Sequence, residues 1–324
     1  MTTTAMRGVP TLAGDRRLRL GYLAALAAVA ITGVYPALTR LSLATTTLTP
    51  ADLLLFRLGV SGLVFAPFLA LRARDIPKAQ WLAAVPLSFL QGWGMAACVI
   101  FGLQFAPASH AAALGPGAIG AWIALIGFVA YGVRIASRKI VGISAIIGGV
   151  ATILFASHRG FSISTAMIGD GMFLLASALG ATYLVQVQRH RLDPVVAAAL
   201  VCVASAMVVV PWHFAFGTSA IATAPLREIV WQVLLQGVLL GCCAFLALNY
   251  ATRTIGSQTV GVLSALVPVI GAACSIVVAG EVISLVEWTA ISAISAGVAI
   301  ASLPARGYAG RSRIPGAPRR VGTV

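Results

Sequence analysis

The sequence predicts an all-α integral membrane protein with ten transmembrane helices arranged as two inverted five-helix repeats. Three observations carry this. The 324 residues are 60% hydrophobic and only 9% charged, with a mean hydropathy of +0.98, a balance that soluble domains do not reach. Runs of about 20 mainly apolar residues, the length that crosses roughly 30 Å of hydrocarbon, fill nearly the whole chain. A nine-residue stretch also occurs twice. From Ile143 the chain reads Ile-Ser-Ala-Ile-Ile-Gly-Gly-Val-Ala, and from Ile291, 148 positions later, Ile-Ser-Ala-Ile-Ser-Ala-Gly-Val-Ala.

Taken in order, the apolar runs are Leu18–Thr39, Ala51–Leu71, Trp81–Gln104, Ala108–Val133, Ile140–Ala156, Thr165–Val187, Pro194–Phe216, Ile229–Ala251, Gly256–Gly280 and Leu285–Leu303. The connections are too short for a soluble domain, so function must lie within the bundle or on its rims. The domain reading is a tail over 1–17, a first repeat over 18–156, a second over 165–303 and a tail over 304–324. The tails, rich in Gly, Pro, Thr and Arg, are expected to be disordered.

The net charge of +14 is distributed by loop, which argues against nucleic acid as its cause. With the N-terminus cytoplasmic, eighteen Lys and Arg fall on the cytoplasmic side, against Arg40, Arg159 and Arg227 outside; Arg57 alone lies within a span. The positive-inside rule therefore places both termini in the cytoplasm. The pair Arg16-Arg17 imitates a twin-arginine export signal, but nine further spans make it a cytoplasmic anchor. Cys98, Cys202, Cys242, Cys243 and Cys274 all fall in spans without metal-ligand spacing and read as packing residues. No metal, cofactor or catalytic set is expected.

The halves align with small shifts at loops. Leu48, Pro50, Ser61 and Pro67 pair with Leu192, Pro194, Ser205 and Pro211 at an offset of 144; Gln91-Gly92 and Cys98 pair with Gln236-Gly237 and Cys243 at 145; the offset then settles at 148. Five spans per half is an odd number, so the halves cross in opposite directions. Such repeats recur in secondary transporters, where the two halves exchange roles to expose a midplane site to either side.

The arginine in Leu55-Phe56-Arg57-Leu58 and the Ala279-Gly280-Glu281 that closes the ninth span resemble the drug/metabolite transporter superfamily. The Gly-rich ends near Gly149-Val150 and Gly297-Val298 resemble its EamA-type repeat. The resemblance implies a carrier in a bacterial cytoplasmic membrane, commonly an exporter of amino acids or related metabolites. The fourth span departs from the pattern: it ends Tyr131-Gly132-Val133-Arg134, without the acid.

Two readings fit Arg57. It holds a substrate carboxylate or phosphate by a bidentate contact, or it is structural, paired with Asp52 or Glu281 or snorkelling to the interface. Gln91 and Gln236 either clamp neighbouring helices or bind solute. Trp93, Trp122, Tyr183 and Tyr250 suit a cavity wall for an amphipathic solute. His110 opens the fourth span and Gln258 holds the matching place in the ninth; His110 either titrates and couples export to protons or caps its helix. Asn249 is a further polar candidate. No Asp or Glu is expected deep in a span, which leaves a carboxylate proton relay without a candidate.

Gly115-Pro116-Gly117-Ala118-Ile119-Gly120 spells a dinucleotide fingerprint but follows no strand. It reads instead as a weak point, matched by Pro268 in the ninth span; two interrupted helices would mark the moving parts. Gly237-Val238-Leu239-Leu240-Gly241 is assigned to helix packing.

The expected function is alternating-access transport of a small metabolite across the bilayer. A sugar-phosphate carrier or lipid-linked sugar flippase uses the same scaffold, a non-transporting scaffold is a further reading, and an intramembrane enzyme using Ser144 lacks a histidine at its own membrane face.

Overall fold

A computed structural model describes residues 12–133, 135–157, 165–190 and 192–303. The expectations for the outer parts of both tails, the 158–164 loop, Arg134 and Arg191 fall outside the described residues.

Ten helices long and apolar enough to cross a membrane are present among them: α1 Arg16–Thr45, α2 Pro50–Arg72, α3 Lys78–Gly102, α4 Ala108–Tyr131, α5 Ser137–Ala156, α6 Thr165–Arg189, α7 Pro194–Phe216, α8 Leu226–Ile255, α9 Ser257–Ala279 and α10 Leu285–Ser302. Each agrees with an expected run to within a few residues at most ends. The largest departure is α1, which continues past Thr39 to Thr45 and so makes Arg40 part of a helix. We call the face where α1 begins and α10 ends the terminal face, and the other the distal face.

Local chemistry sets the helix ends. Helices α2 and α7 both start on Pro, which has no N–H to orphan and a φ suited to the first turn. Their N-caps are also matched: Thr49 forms a capping box with Asp52, and Asp193 accepts from the Val195 and Val196 amides. Burial alone would raise the Asp193 pKa, but those two amides and Arg253, 2.9 Å away, outweigh it and lower it. Helices α4 and α9 both end on a left-handed glycine, Gly132 at φ 61° and Gly280 at φ 66°, where a side chain would be strained.

The packing obeys a two-fold exchange of halves. Three contacts are their own images: α2 on α7, α5 on α10 and α4 on α9. Three further contacts come in related pairs, with α1 on α9 matching α6 on α4, α1 on α8 matching α6 on α3, and α2 on α8 matching α7 on α3. The repeated nine-residue stretch lies on this axis. A Cβ added to Gly297 would stand 2.6 Å from the Gly142 carbonyl, and one added to Gly149 would stand 2.7 Å from the Ala290 carbonyl. Those contacts are images at the offset of 148. Ile146, Ile291 and Ile294 fill the seam without exposure. Gly297→Leu is therefore expected to cost at least the ~1–3 kcal/mol of an overpacked core and to lower the melting temperature of detergent-solubilised protein; unchanged melting would contradict this packing.

Two local features differ from the expected helices. Residues Ser88–Gly92 of α3 and Val233–Cys243 of α8 are π-helical, so the paired Gln-Gly dipeptides sit at wide turns in both repeats. The expected pair of interrupted helices is only half present. Helix α9 breaks after Ser264 and restarts at Val267, ahead of Pro268. Helix α4 runs unbroken through Pro116. The residue before the proline does not account for the contrast, since helical turns run unbroken through Val85-Pro86 of α3 and Val210-Pro211 of α7.

Candidate functional site

Three groups of buried polar side chains bear on the residues singled out from the sequence. The first surrounds Arg57 on α2. Its guanidinium donates to the Tyr35 hydroxyl of α1 and lies 4.7 Å from the Tyr35 ring centroid. Neither expected ion pair forms. Asp52 accepts from the Thr49 and Ala220 amides and the Ser219 hydroxyl and stands 3.4 Å from His213 Nε2, while Glu281 serves α4 and Arg40. Both carboxylates are thus consumed by the distal loops. Among the described residues Arg57 has no carboxylate within 4 Å.

One turn along α1 from Tyr35, Thr39 accepts a 3.0 Å hydrogen bond from Gln236 Nε2 of α8. Gln236 is fully buried, and its Oε1 has no protein partner. Gln232, a turn earlier on α8, is also fully buried, and neither carboxamide atom is paired. Helix α8 approaches α2 closely here, since a Cβ at Gly237 or Gly241 would stand about 3 Å from the carbonyls of Phe56 or Arg57. Arg57, Tyr35, Thr39 and Gln236 therefore form one polar chain across α2, α1 and α8.

The two-fold image of this chain keeps a glutamine, Gln91 for Gln236, but carries no charge, and the position of the arginine is apolar. Tyr35 corresponds to Tyr183 at the offset of 148, and Arg57 to Val201 at 144. Tyr183 and Val201 pack with Leu87 in a buried cluster. Beside it a cavity of about 530 Å³ lies towards the terminal face, lined by Pro77, Ala83, Leu87 and Leu90 of the α3 side, Gln186 and His190 at the end of α6, and Leu192. Of the residues singled out from the sequence, only Tyr183 adjoins it, through Leu87 and Leu90. Gln91 is half-buried; its Oε1 would lie 3.5 Å from a Cβ at Gly180 of α6, one turn from Tyr183.

The remaining sequence candidates are not gathered with these. Asn249 donates to the Phe245 carbonyl of its own helix, and Tyr250 and Gln258 are exposed near the terminal face. Gly117 of α4 faces Pro268 of α9, so the two proline segments meet near the axis.

The second group ties the distal ends together. Glu281, in the turn after α9, accepts from the Ala108 and Ser109 amides and the Ser109 hydroxyl, capping α4, and lies 3.4 Å from Arg40 Nε. Arg40 also donates to the carbonyls of Leu103 and Ala106, which end α3. One carboxylate and one guanidinium thus hold α1, α3, α4 and α9 at one level. Val133 occupies the corresponding position of the first repeat, and no equivalent knot is present there among the described residues.

The third group corrects the expectation that spans contain no deep carboxylate. Asp170, on α6, is fully buried. His110 of α4 lies between it and Glu287 of α10, with Nδ1 2.8 Å from Asp170 Oδ1 and Nε2 3.2 Å from Glu287 Oε1. Asp170 is only six residues into its span, and counting from the helix end misjudged it. Burial here comes from the three helices around it. Its signal in the sequence was a lone acid inside a run otherwise free of charge from Thr165 to Gln188. Tyr35 was readable too, as the partner of Tyr183 at the repeat offset.

Comparisons with known proteins agree with this architecture. Twelve chains of solved structures match. One, titled only "Crystal structure of protein", superposes with a TM-score of 0.59 at 18% identity, covering 89% of this chain and 96% of the other, a likeness of fold. No curated protein matches. The EamA-like transporter family model matches twice, over residues 19–155 and 167–303, which are the two five-helix halves. The chain belongs to the EamA-like transporter family.

Proposed function

We propose that this protein is a secondary transporter that exports a small amphipathic metabolite bearing a carboxylate, with an amino acid as the leading class. It works by alternating access in a bacterial cytoplasmic membrane with both termini in the cytoplasm. The observation that carries the substrate class is Arg57. A guanidinium inside a membrane span, with donors left over after Tyr35 and no carboxylate within 4 Å among the described residues, suits an incoming carboxylate in bidentate geometry. The two-fold image of that site is lined by Val201, Leu87 and Tyr183. A solute that is anionic at one end and apolar at the other matches the polar and apolar members of this pair.

Alternating access is supported by an asymmetry between the faces. At the distal face α4 packs on α1 and on α10, while the image packings of α9 on α6 and α5 are marginal. His110 and Asp170 are buried, whereas their image positions Gln258 and Tyr22 are exposed. A carrier closed distally and loosened at the terminal face, where the cavity lies, would have this asymmetry. The topology rests on the charge count and the positive-inside rule.

The test is counterflow in proteoliposomes preloaded with mixed amino acids, against the same vesicles loaded with sugar phosphates. Exchange of radiolabelled amino acid alone supports the reading. Exchange of sugar phosphate alone would give Arg57 a phosphate ligand instead.

A further inference from the structure

The imidazole of His110 touches a carboxylate at each ring nitrogen, and the two carboxylates come from different helices. Asp170 Oδ1 lies 2.8 Å from Nδ1 and Glu287 Oε1 lies 3.2 Å from Nε2. An ionised carboxylate only accepts hydrogen bonds, and a neutral imidazole donates from one nitrogen only. With the ring neutral, one carboxylate faces a lone pair. With the ring protonated, both N–H groups donate and a single imidazolium bridges α6 and α10 through α4.

The Glu287 carboxylate is fixed independently of the histidine. Its Oε2 accepts from the Ser284 amide and hydroxyl in a capping box, leaving Oε1 for His110. His110 is itself held at the start of α4 by the Glu281 cap on the preceding residues, and Arg40 reaches Glu281 from α1. Asp170, Glu287, Glu281 and Arg40 are the charged groups that the elements packed on this end of α4 bring to it among the described residues. The carboxylates lie at opposite nitrogens of the ring, so the three side chains do not converge on one point, and no metal-binding group of His, Cys, Asp or Glu is present among the described residues.

The arrangement is one-sided. Under the exchange of halves, His110, Asp170 and Glu287 correspond to Gln258, Tyr22 and Lys139, all exposed. Glutamine does not titrate, and no carboxylate takes part. A protonation event here therefore acts on the distal gate, and its two-fold image among the described residues holds no histidine–carboxylate set.

We propose that His110, Asp170 and Glu287 form a proton-binding site whose imidazolium state locks the distal ends of α4, α6 and α10 together, and whose deprotonation releases them. This rests on the alternating-access reading and supplies it with a coupling proton. The sign follows from the geometry. The lock is present while the ring is protonated and both carboxylates are ionised, and it is lost as rising pH removes the ring proton.

The test measures the gate itself. Spin labels at exposed Ile168→Cys on α6 and Leu285→Cys on α10, in a chain whose five native cysteines are replaced, report the distal separation by double electron–electron resonance. From about pH 5 to about pH 10, the open-to-closed ratio is expected to rise at least about tenfold in the labelled parent and to be insensitive to pH with His110→Gln. A parent without a pH response, or a His110→Gln protein that keeps it, overturns the proposal. Should His110→Gln fail to fold, imidazole nitrogen resonances of histidine-labelled protein decide. A His110 ring that acquires its second proton within that range supports the site, and a ring neutral in one tautomer throughout overturns it. Neither readout requires a substrate, so a failed transport assay and a failed lock are separate results.

Discussion

Arg57→Ala is expected to lower solute counterflow by at least about 100-fold while the protein still folds and melts as the parent does. A bidentate guanidinium–carboxylate contact supplies two charge-assisted hydrogen bonds, each about 1.5–3 kcal/mol, and each 1.4 kcal/mol is about tenfold in affinity. The fold should tolerate the loss. The side chain donates to Tyr35 and no carboxylate depends on it, so its removal orphans no buried charge. Arg57→Lys keeps the charge but loses the planar fork, and about a tenfold deficit is expected of it. Transport and melting measured on the same preparations separate the roles. Joint loss of both would assign Arg57 to holding α1 against α2, and full activity of the alanine variant would remove it from the substrate path.

The second large effect is structural. Glu281→Ala should destabilise the solubilised protein by about 2–3 kcal/mol, the cost of leaving buried donors without an acceptor. The amides of Ala108 and Ser109 are in the first turn of α4, and both residues are nearly inaccessible. Arg40 is about one-third exposed, so water compensates it in part and the full penalty of a broken buried pair does not apply. Glu281→Gln retains an acceptor and should lose about half as much. Thermal melting of the three proteins side by side is the check, and equal midpoints would show that the knot at the distal face adds nothing.

Most of the fold was legible because a bilayer leaves the chain few choices. Length, apolarity and loop charge specify helices and their alternation, and the duplicated stretch specifies how the halves relate. Where the reading failed, the cause was local. The expectation that Pro116 and Pro268 both interrupt their helices holds only at Pro268, because a proline does not by itself break a packed span, as Pro211 inside the unbroken α7 also shows. The π-helical turns at Gln91 and Gln236 were out of reach, since an extra residue in a turn leaves no compositional mark. The shift of the repeat offset from 144 to 145 to 148 nonetheless shows that residues were gained between the matched helices.

The site was legible one helix at a time and no further. Arg57 and His110 stood out as polar groups in apolar runs, but Tyr35 comes from the neighbouring span and Asp170 and Glu287 from spans distant in sequence, and nothing within one span announces the pairing. Depth counted along a helix was a poor guide to burial, which at Asp170 is set by the neighbours. Gln258, Asn249 and Tyr250 were selected by chemistry alone, and their side chains are exposed or turned back on their own helix.

The seam between α5 and α10 also bears on how the chain is made. Gly149 in α5 finds its close neighbour at Ala290, and Gly142 finds its own at Gly297, so α5 leaves the ribosome well before the surface it fits. At roughly 5–20 residues per second, that wait is on the order of ten seconds. During it a bare glycine stripe faces lipid in a half-built bundle.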